Sequence, residues 1–186
     1  MEVWDLQRAT GLITAHLHTV NMVKHSWAVE AGMRRMAEHL GEDADRWALT
    51  GLLHDLDYEM TKDDFPRHGI VSGEILRKEG FSDDAVLAAI IEHTGNTPAE
   101  SRMGKALYAV DPATGFIVAC ALMHPEKKVA VVPVDFMVKR FAEKRFAQGA
   151  SRDQMRKAEE WFGLPVAEFL TLVRDGMAVR AAEIGL

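Results

Sequence analysis

The chain has 186 residues, 48% hydrophobic and 27% charged, a balance that suits one globular domain with a sizeable core. A formal net charge of −6 argues against a general binder of nucleic acid polymers or anionic membranes, which carry basic stripes. Cys120 is the single cysteine, which excludes an intrachain disulfide and a cysteine-based zinc site and suits a reducing, cytoplasmic setting. The first residues, Met1-Glu2-Val3-Trp4-Asp5, lack a basic region followed by an apolar one, so no signal peptide is expected. No apolar stretch is expected to span a membrane.

The pattern is helical nearly throughout. His25, Val29, Met33, Met36 and Leu40 step by four and three along one face, stopped by Gly41. Ala44, Trp47, Ala48, Gly51, Leu52 and Asp55 form the next face. Arg67 to Glu79 reads as a third helix, stopped by Gly80. Ser82 reads as the N-cap of a fourth, with Val86, Ala89, Ile90 and His93 on one face and Gly95 beyond it. Arg102 to Met123 is a long apolar stretch interrupted at Asp111-Pro112. Val129 to Val132 suits a short extended piece, and Pro133 to Phe146 a helix. Ser151-Arg152-Asp153-Gln154 is a capping-box start, and Pro165 to Glu183 reads as the last helix. These elements predict a single all-α domain over residues 1–186, a helical bundle with the C-terminal helices 133–186 packed on its core.

Six residues stand apart: His25, His54, Asp55, His68, His93 and Asp111. Each lies on, or at the end of, an apolar helical face, where an uncompensated polar group is costly. Imidazole and carboxylate suit zinc, iron, manganese, nickel or cobalt, and bundle cores let several helices project ligands into one volume. Each residue taken singly has an ordinary explanation. His25 could be a satisfied core histidine. His54 and His93 could cap helix ends, although an Asp at such an end, as at Asp55, opposes the macrodipole. Asp111 before Pro112 could be an N-cap, or a carboxylate turned into the core by a kink.

The order of these residues resembles the HD superfamily of metal-dependent phosphohydrolases. The matching segments are Lys24-His25-Ser26, Leu52-Leu53-His54-Asp55, Arg67-His68-Gly69, Ile90-Ile91-Glu92-His93-Thr94 and Ala106-Leu107-Tyr108-Ala109-Val110-Asp111, an HD core over roughly residues 20–125. The resemblance implies one divalent transition metal held by His25, His54, Asp55 and Asp111, and a second held with His68 and His93. It also implies Asp55 as the shared ligand and a small phosphorylated substrate. The segments look most like diadenosine tetraphosphate hydrolases and HDIG-domain proteins. Lys105, six residues before Asp111, is placed as the basic group that meets phosphate; Lys62, Arg67 and Arg102 are further candidates, with plain solubility as the competing reading. Where the HDIG variant reads His-Asp-Ile-Gly, this chain reads His54-Asp55-Leu56-Asp57, so Asp57 is a base, a supporting group or a loop residue. The Gly-Tyr-Pro signature of cyclic dinucleotide phosphodiesterases is missing. The expected function is hydrolysis of a phosphoester or phosphoanhydride, of a nucleotide or dinucleoside polyphosphate. A di-iron oxygenase and a metal-binding regulatory module without turnover are the alternatives. The apolar faces after residue 125, with Phe136, Phe141, Phe146, Trp161, Phe162 and Phe169, are expected to cover the core or to form a homodimer contact.

Overall fold

Helix boundaries in this chain follow local capping chemistry. The computed structural model describes residues 4–186, and among them it has α-helices and 3-10 turns but no strand. The helices are α1 (Leu6–His16), α2 (Val20–Leu40), α3 (Ala44–Leu53), α4 (Tyr58–Thr61), α5 (Ile70–Lys78) and α6 (Asp84–Glu92). They continue with α7 (Arg102–Met123), α8 (Val134–Ala142), α9 (Arg152–Phe162), α10 (Val166–Val179) and α11 (Ala181–Ile184). Asp5, Asp43, Ser101 and Ser151 each accept a hydrogen bond from the backbone N–H three residues on, as N-caps do. Gly41 ends α2 in the left-handed region at φ 70°, where a side chain would be strained.

Several local expectations are corrected. The N-cap of α6 is Asp83, not Ser82; its carboxylate accepts from the N–H groups of Ala85 and Val86. The third predicted helix is broken into a 3-10 turn (Phe65–Arg67) and α5, because Gly69 between them sits at φ 78°. A Cβ at Gly69 would also stand 2.9 Å from the Ile90 carbonyl oxygen, so only glycine fits this turn. Residues 129–131 form a 3-10 turn instead of an extended piece. α8 stops at Ala142, and the last helix divides at Arg180. The helix α1 escaped the sequence reading, since its buried side chains are only Ala9 and Ile13.

Asp111-Pro112 neither caps nor ends a helix. Pro112 lies inside α7, which runs through it. A proline there forgoes one ladder hydrogen bond, and packing on both sides outweighs that loss. At 22 residues and a mean hydropathy of 1.6 in its most apolar window, α7 is long and apolar enough to cross a membrane, contrary to the sequence expectation. It is instead the central helix, packed against α2, α6 and α9, with 56% of that window buried.

α2 is the second organising helix and packs against α3, α7 and α10. Its approach to α3 is close: a Cβ on Gly51 would lie 2.7 Å from the Val29 carbonyl oxygen, so the two backbones touch. Met33, Leu52, Leu53, Ile90, Leu107, Phe116, Ile117 and Phe169 are fully buried between these helices, each worth about 1.5–3 kcal/mol of burial. The one fully buried Glu on α2, Glu30, is held by Arg34 on its own helix and by Arg180 after α10. The C-terminal helices lay their aromatic faces on α7: Phe141 and Phe146 both stand edge-on to Phe116 at 5.7 Å, and Trp161 lies 5.7 Å from Tyr108.

Candidate metal centre

The structure brings all six singled-out residues into one cluster from five places in the chain. His25 comes from the first turns of α2, His54 and Asp55 from the end of α3, His68 from the turn before α5, His93 from the end of α6, and Asp111 from mid-α7. His25 Nε2 lies 3.0 Å from Asp111 Oδ1 and 3.6 Å from Asp55 Oδ2. The Nε2 atoms of His54, His68 and His93 lie 3.3, 3.2 and 3.5 Å from Asp55 Oδ1. Asp55 thus faces one imidazole with one oxygen and three with the other.

Each imidazole is oriented by an acceptor at its far nitrogen. His54 and His93 are the C-caps of α3 and α6, and their Nδ1–H groups donate to carbonyls three residues back, Gly51 O at 2.8 Å and Ile90 O. Those carbonyls are the free ones at a helix end. The capping contact therefore also sets the ring: satisfying the helix end points Nε2 into the cluster. His25 Nδ1 lies 3.4 Å from Thr114 Oγ1, whose hydroxyl donates to the Asp111 carbonyl.

His68 is oriented by Asp57, the residue at which this chain departs from the HDIG pattern. Asp57 is fully buried; its Oδ1 accepts from His68 Nδ1 at 2.8 Å. Its Oδ2 accepts from the N–H groups of Gly69 at 2.7 Å and Ser72 at 3.0 Å. Those N–H groups are the free donors at the start of α5, where the macrodipole favours a carboxylate. The Ser72 hydroxyl completes the tie by donating to the His54 carbonyl. Asp57 is thus a supporting group rather than a loop residue. Ser72 and Thr114 carried no sequence signal, because their partners lie 15 to 18 and 89 positions away.

The two carboxylates demand positive charge. Burial works against ionised Asp55, but His54, His68 and His93 outweigh it and hold its carboxyl well below the usual range. Asp111 is held down in the same way, against burial, by His25 and then His54. Burial opposes a proton on His54, yet Asp55 and Asp111 raise it to about 9. His68 is raised to about 10, again against burial, by Asp55 and Asp57. A divalent cation would compete with these protons for the same carboxylates and nitrogens.

The donor set fits such a cation. His54 Nε2 is buried and faces Asp55 Oδ1 at 3.3 Å without a well-formed hydrogen bond, a position that a cation between them would satisfy. Three overlapping groups have ligand atoms mutually within 4.8 Å: His25, His54 and Asp55; His54, His93 and Asp111; and Asp55, His68 and His93. His54 and His93 are closed to solvent, whereas the side chains of His25 and Asp111 are 22% and 28% exposed, so the cluster opens along that edge.

The Lys105 ammonium stands 5.8 Å from the Trp161 ring, and no contact between it and the cluster is seen among the described residues. Arg67 is bonded to Glu74 and Arg102 pairs with Glu42, while Lys62 is exposed just after α4. Lys24, beside His25, lines a cavity of about 450 Å³ that also borders His25. A wider cavity of about 740 Å³ beside Trp4 and Phe81 lies away from the imidazoles, and its Asp43, Arg46 and Asp83 are committed to helix caps and an ion pair.

Comparison with known proteins agrees with this geometry. The family profile described as HD domain matches residues 22–129. Ribonuclease Y of Oleidesulfovibrio alaskensis is 30% identical over 95 residues, which make up 51% of this chain and 18% of that protein. Ribonuclease Y of Nitratidesulfovibrio vulgaris strain DP4 is 28% identical over 95 residues, with the same coverage. The chain thus spans about a fifth of the length of these curated relatives. No solved structure matches it.

Proposed function

Since this chain belongs to the HD domain family, we propose that it is a metal-dependent phosphohydrolase acting on a phosphoester or phosphoanhydride of a small nucleotide. The observation that carries this reading is the convergence of four Nε2 atoms on Asp55 and Asp111, with the buried His54 Nε2 facing Asp55 without a hydrogen bond. His25, His54, Asp55 and Asp111 would hold one divalent ion, and His68, His93 and Asp55 a second, drawn from iron, manganese, nickel, cobalt or zinc. When bound, such ions supply a water of lowered pKa and neutralise phosphate charge.

The chain's own residues then divide the work. Asp55, set between His25 and the other three imidazoles, joins the two halves of the site. Asp57, Thr114 and the carbonyls of Gly51 and Ile90 hold the imidazoles in one tautomer. The tight walls at His54 and His93 exclude bulk water, and substrate approaches along the His25–Asp111 edge. The likeness to ribonuclease Y supports a ribonucleotide linkage within this reading, and the net charge of −6 supports a short ligand over a polymer.

The test is metal analysis of protein prepared anaerobically without chelator, followed by a nucleotide and dinucleotide panel on the same sample. Metal close to two ions per chain is expected, falling sharply in His54→Ala and Asp55→Ala, with metal-dependent phosphate release from some panel member. Full metal occupancy in both variants, or no turnover with manganese, nickel, cobalt or iron(II), overturns the reading.

A further inference from the structure

We propose that two stretches beyond the HD match, residues 147–154 and 184–186, select the substrate, and that this substrate carries an organic group on each side of its reacting phosphate. The inference rests on the hydrolase reading above. Two cavities meet the cluster at its open edge, and both are bordered by His25 and Gly115. The first, about 380 Å³, lies between Asp111 and the turn before α9 and is walled by Ala147, Gly149, Ala150 and Gln154. The second, about 450 Å³, lies between the start of α2 and the far half of α7, and residues 184–186 form its outer wall. Each is of ligand-binding size.

The two cavities differ in chemistry. The first is a slot made by small side chains with one amide, Gln154, at its rim, which suits a flat ring with a polar edge. The second is mainly apolar, through Met22, Val118 and Leu122, with one amide, Asn21, and one cation, Lys24. Lys24 pairs with no carboxylate among the described residues, and a Cβ on Gly185 would meet its Nζ at 2.6 Å, so it runs along the C-terminal wall. Its charge is therefore open to a phosphate held next to His25. The cavities share a wall at His25 and Gly115, and a Cβ on Gly115 would meet nothing within 4 Å, so the glycine leaves that wall low.

A terminal phosphomonoester has one organic arm and fills one cavity. A phosphodiester, or an anhydride substituted at both ends, fills both. Hydrolysis of a diester breaks the P–O bond to one arm, forms a P–O bond from water, and delivers one proton to the departing oxygen. A monoester and an alcohol leave by opposite sides.

The test uses the full chain loaded with manganese. Hydrolysis of bis(p-nitrophenyl) phosphate is compared with that of p-nitrophenyl phosphate. Binding of the dinucleotide ApA is compared with that of AMP by equilibrium dialysis. Binding energy from the second arm should favour the diester in kcat/KM, and ApA in affinity, by about tenfold or more. Gly149→Leu narrows the first cavity and Leu122→Trp the second; both sites are exposed, and folding is checked by thermal unfolding. Each variant should lower both ratios by about tenfold. Monoester and AMP handled as well as diester and ApA, or ratios that neither variant moves, overturns the proposal. Loss of all turnover and of bound manganese sinks the hydrolase reading instead; in that case an ApA preference erased by the two variants still upholds the two-armed cleft, and its absence ends it.

Discussion

Replacing Gly51 by Ala tests how the α2–α3 contact holds the candidate metal ligands in place. Gly51 stands one turn before His54 and Asp55, and the Val29 carbonyl it touches stands one turn after His25. The added Cβ would lie 2.7 Å from that oxygen and 2.9 Å from its carbon, against the 3.4 Å of an ordinary contact. The obstacle is backbone and cannot rotate away, so the helices must part by about 0.7 Å. Alanine favours the helix by about 1 kcal/mol, and overpacking costs about 1–3 kcal/mol, so the net loss is about 0–2 kcal/mol. The effect on the site is larger. Metal–ligand distances tolerate about 0.2 Å, so moving His54 and Asp55 away from His25 should weaken metal binding about 10- to 100-fold. Manganese titration and thermal unfolding in EDTA separate the two effects. Gly11→Ala, on the exposed face of α1 with nothing within 4 Å, serves as control and should stabilise by up to about 1 kcal/mol. Gly51→Ala that matches Gly11→Ala in stability, and the parent in metal affinity, would refute the reasoning.

Asp57→Asn sets an amide NH₂ against the donors of His68, Gly69 and Ser72; it should cost about 1–3 kcal/mol and weaken metal binding about 10- to 100-fold. An unchanged titration would show that His68 needs no support from Asp57. The Asp83 carboxyl is lowered chiefly by its hydrogen bonds from Arg46, with burial opposing. A lowered carboxyl stabilises the fold above its unfolded value of about 3.9 and loses that contribution as pH falls through the folded value. Asp83→Asn, which keeps a capping oxygen, should therefore lower Tm slightly at pH 7, with the gap closing towards pH 3; a gap constant with pH would be the contrary result. Burial pushes the Cys120 thiol up to about 12. Native protein should resist a thiol reagent at pH 8 and react fully in guanidinium; rapid native reaction would mean that the α7 core opens readily.

Legibility of the fold tracked how local the deciding physics is. The stop at Gly41 and the cap at Ser151 are settled within one turn of chain and could be read directly. The choice of Asp83 over Ser82 could not, because it depends on Arg46, 37 positions away, as well as on the helix start. Pro112 reads as a break, yet a helix packed on several sides absorbs one missing hydrogen bond. At His54 and His93 the ordinary cap reading and the ligand reading looked like rivals. In three dimensions the cap is what aims Nε2 into the cluster.

The sequence by itself determined the helical class, because apolar spacing of three and four is a property of the chain, and it determined the identity and order of the six candidate ligands. Only the tertiary structure decided that Asp57 is buried behind His68, that Lys105 stands over Trp161, and that two cavities meet at His25. Ligand chemistry is written in residue identity. Burial, orientation and open space arise from pairs of residues brought together from distant parts of the chain, and no local pattern records them.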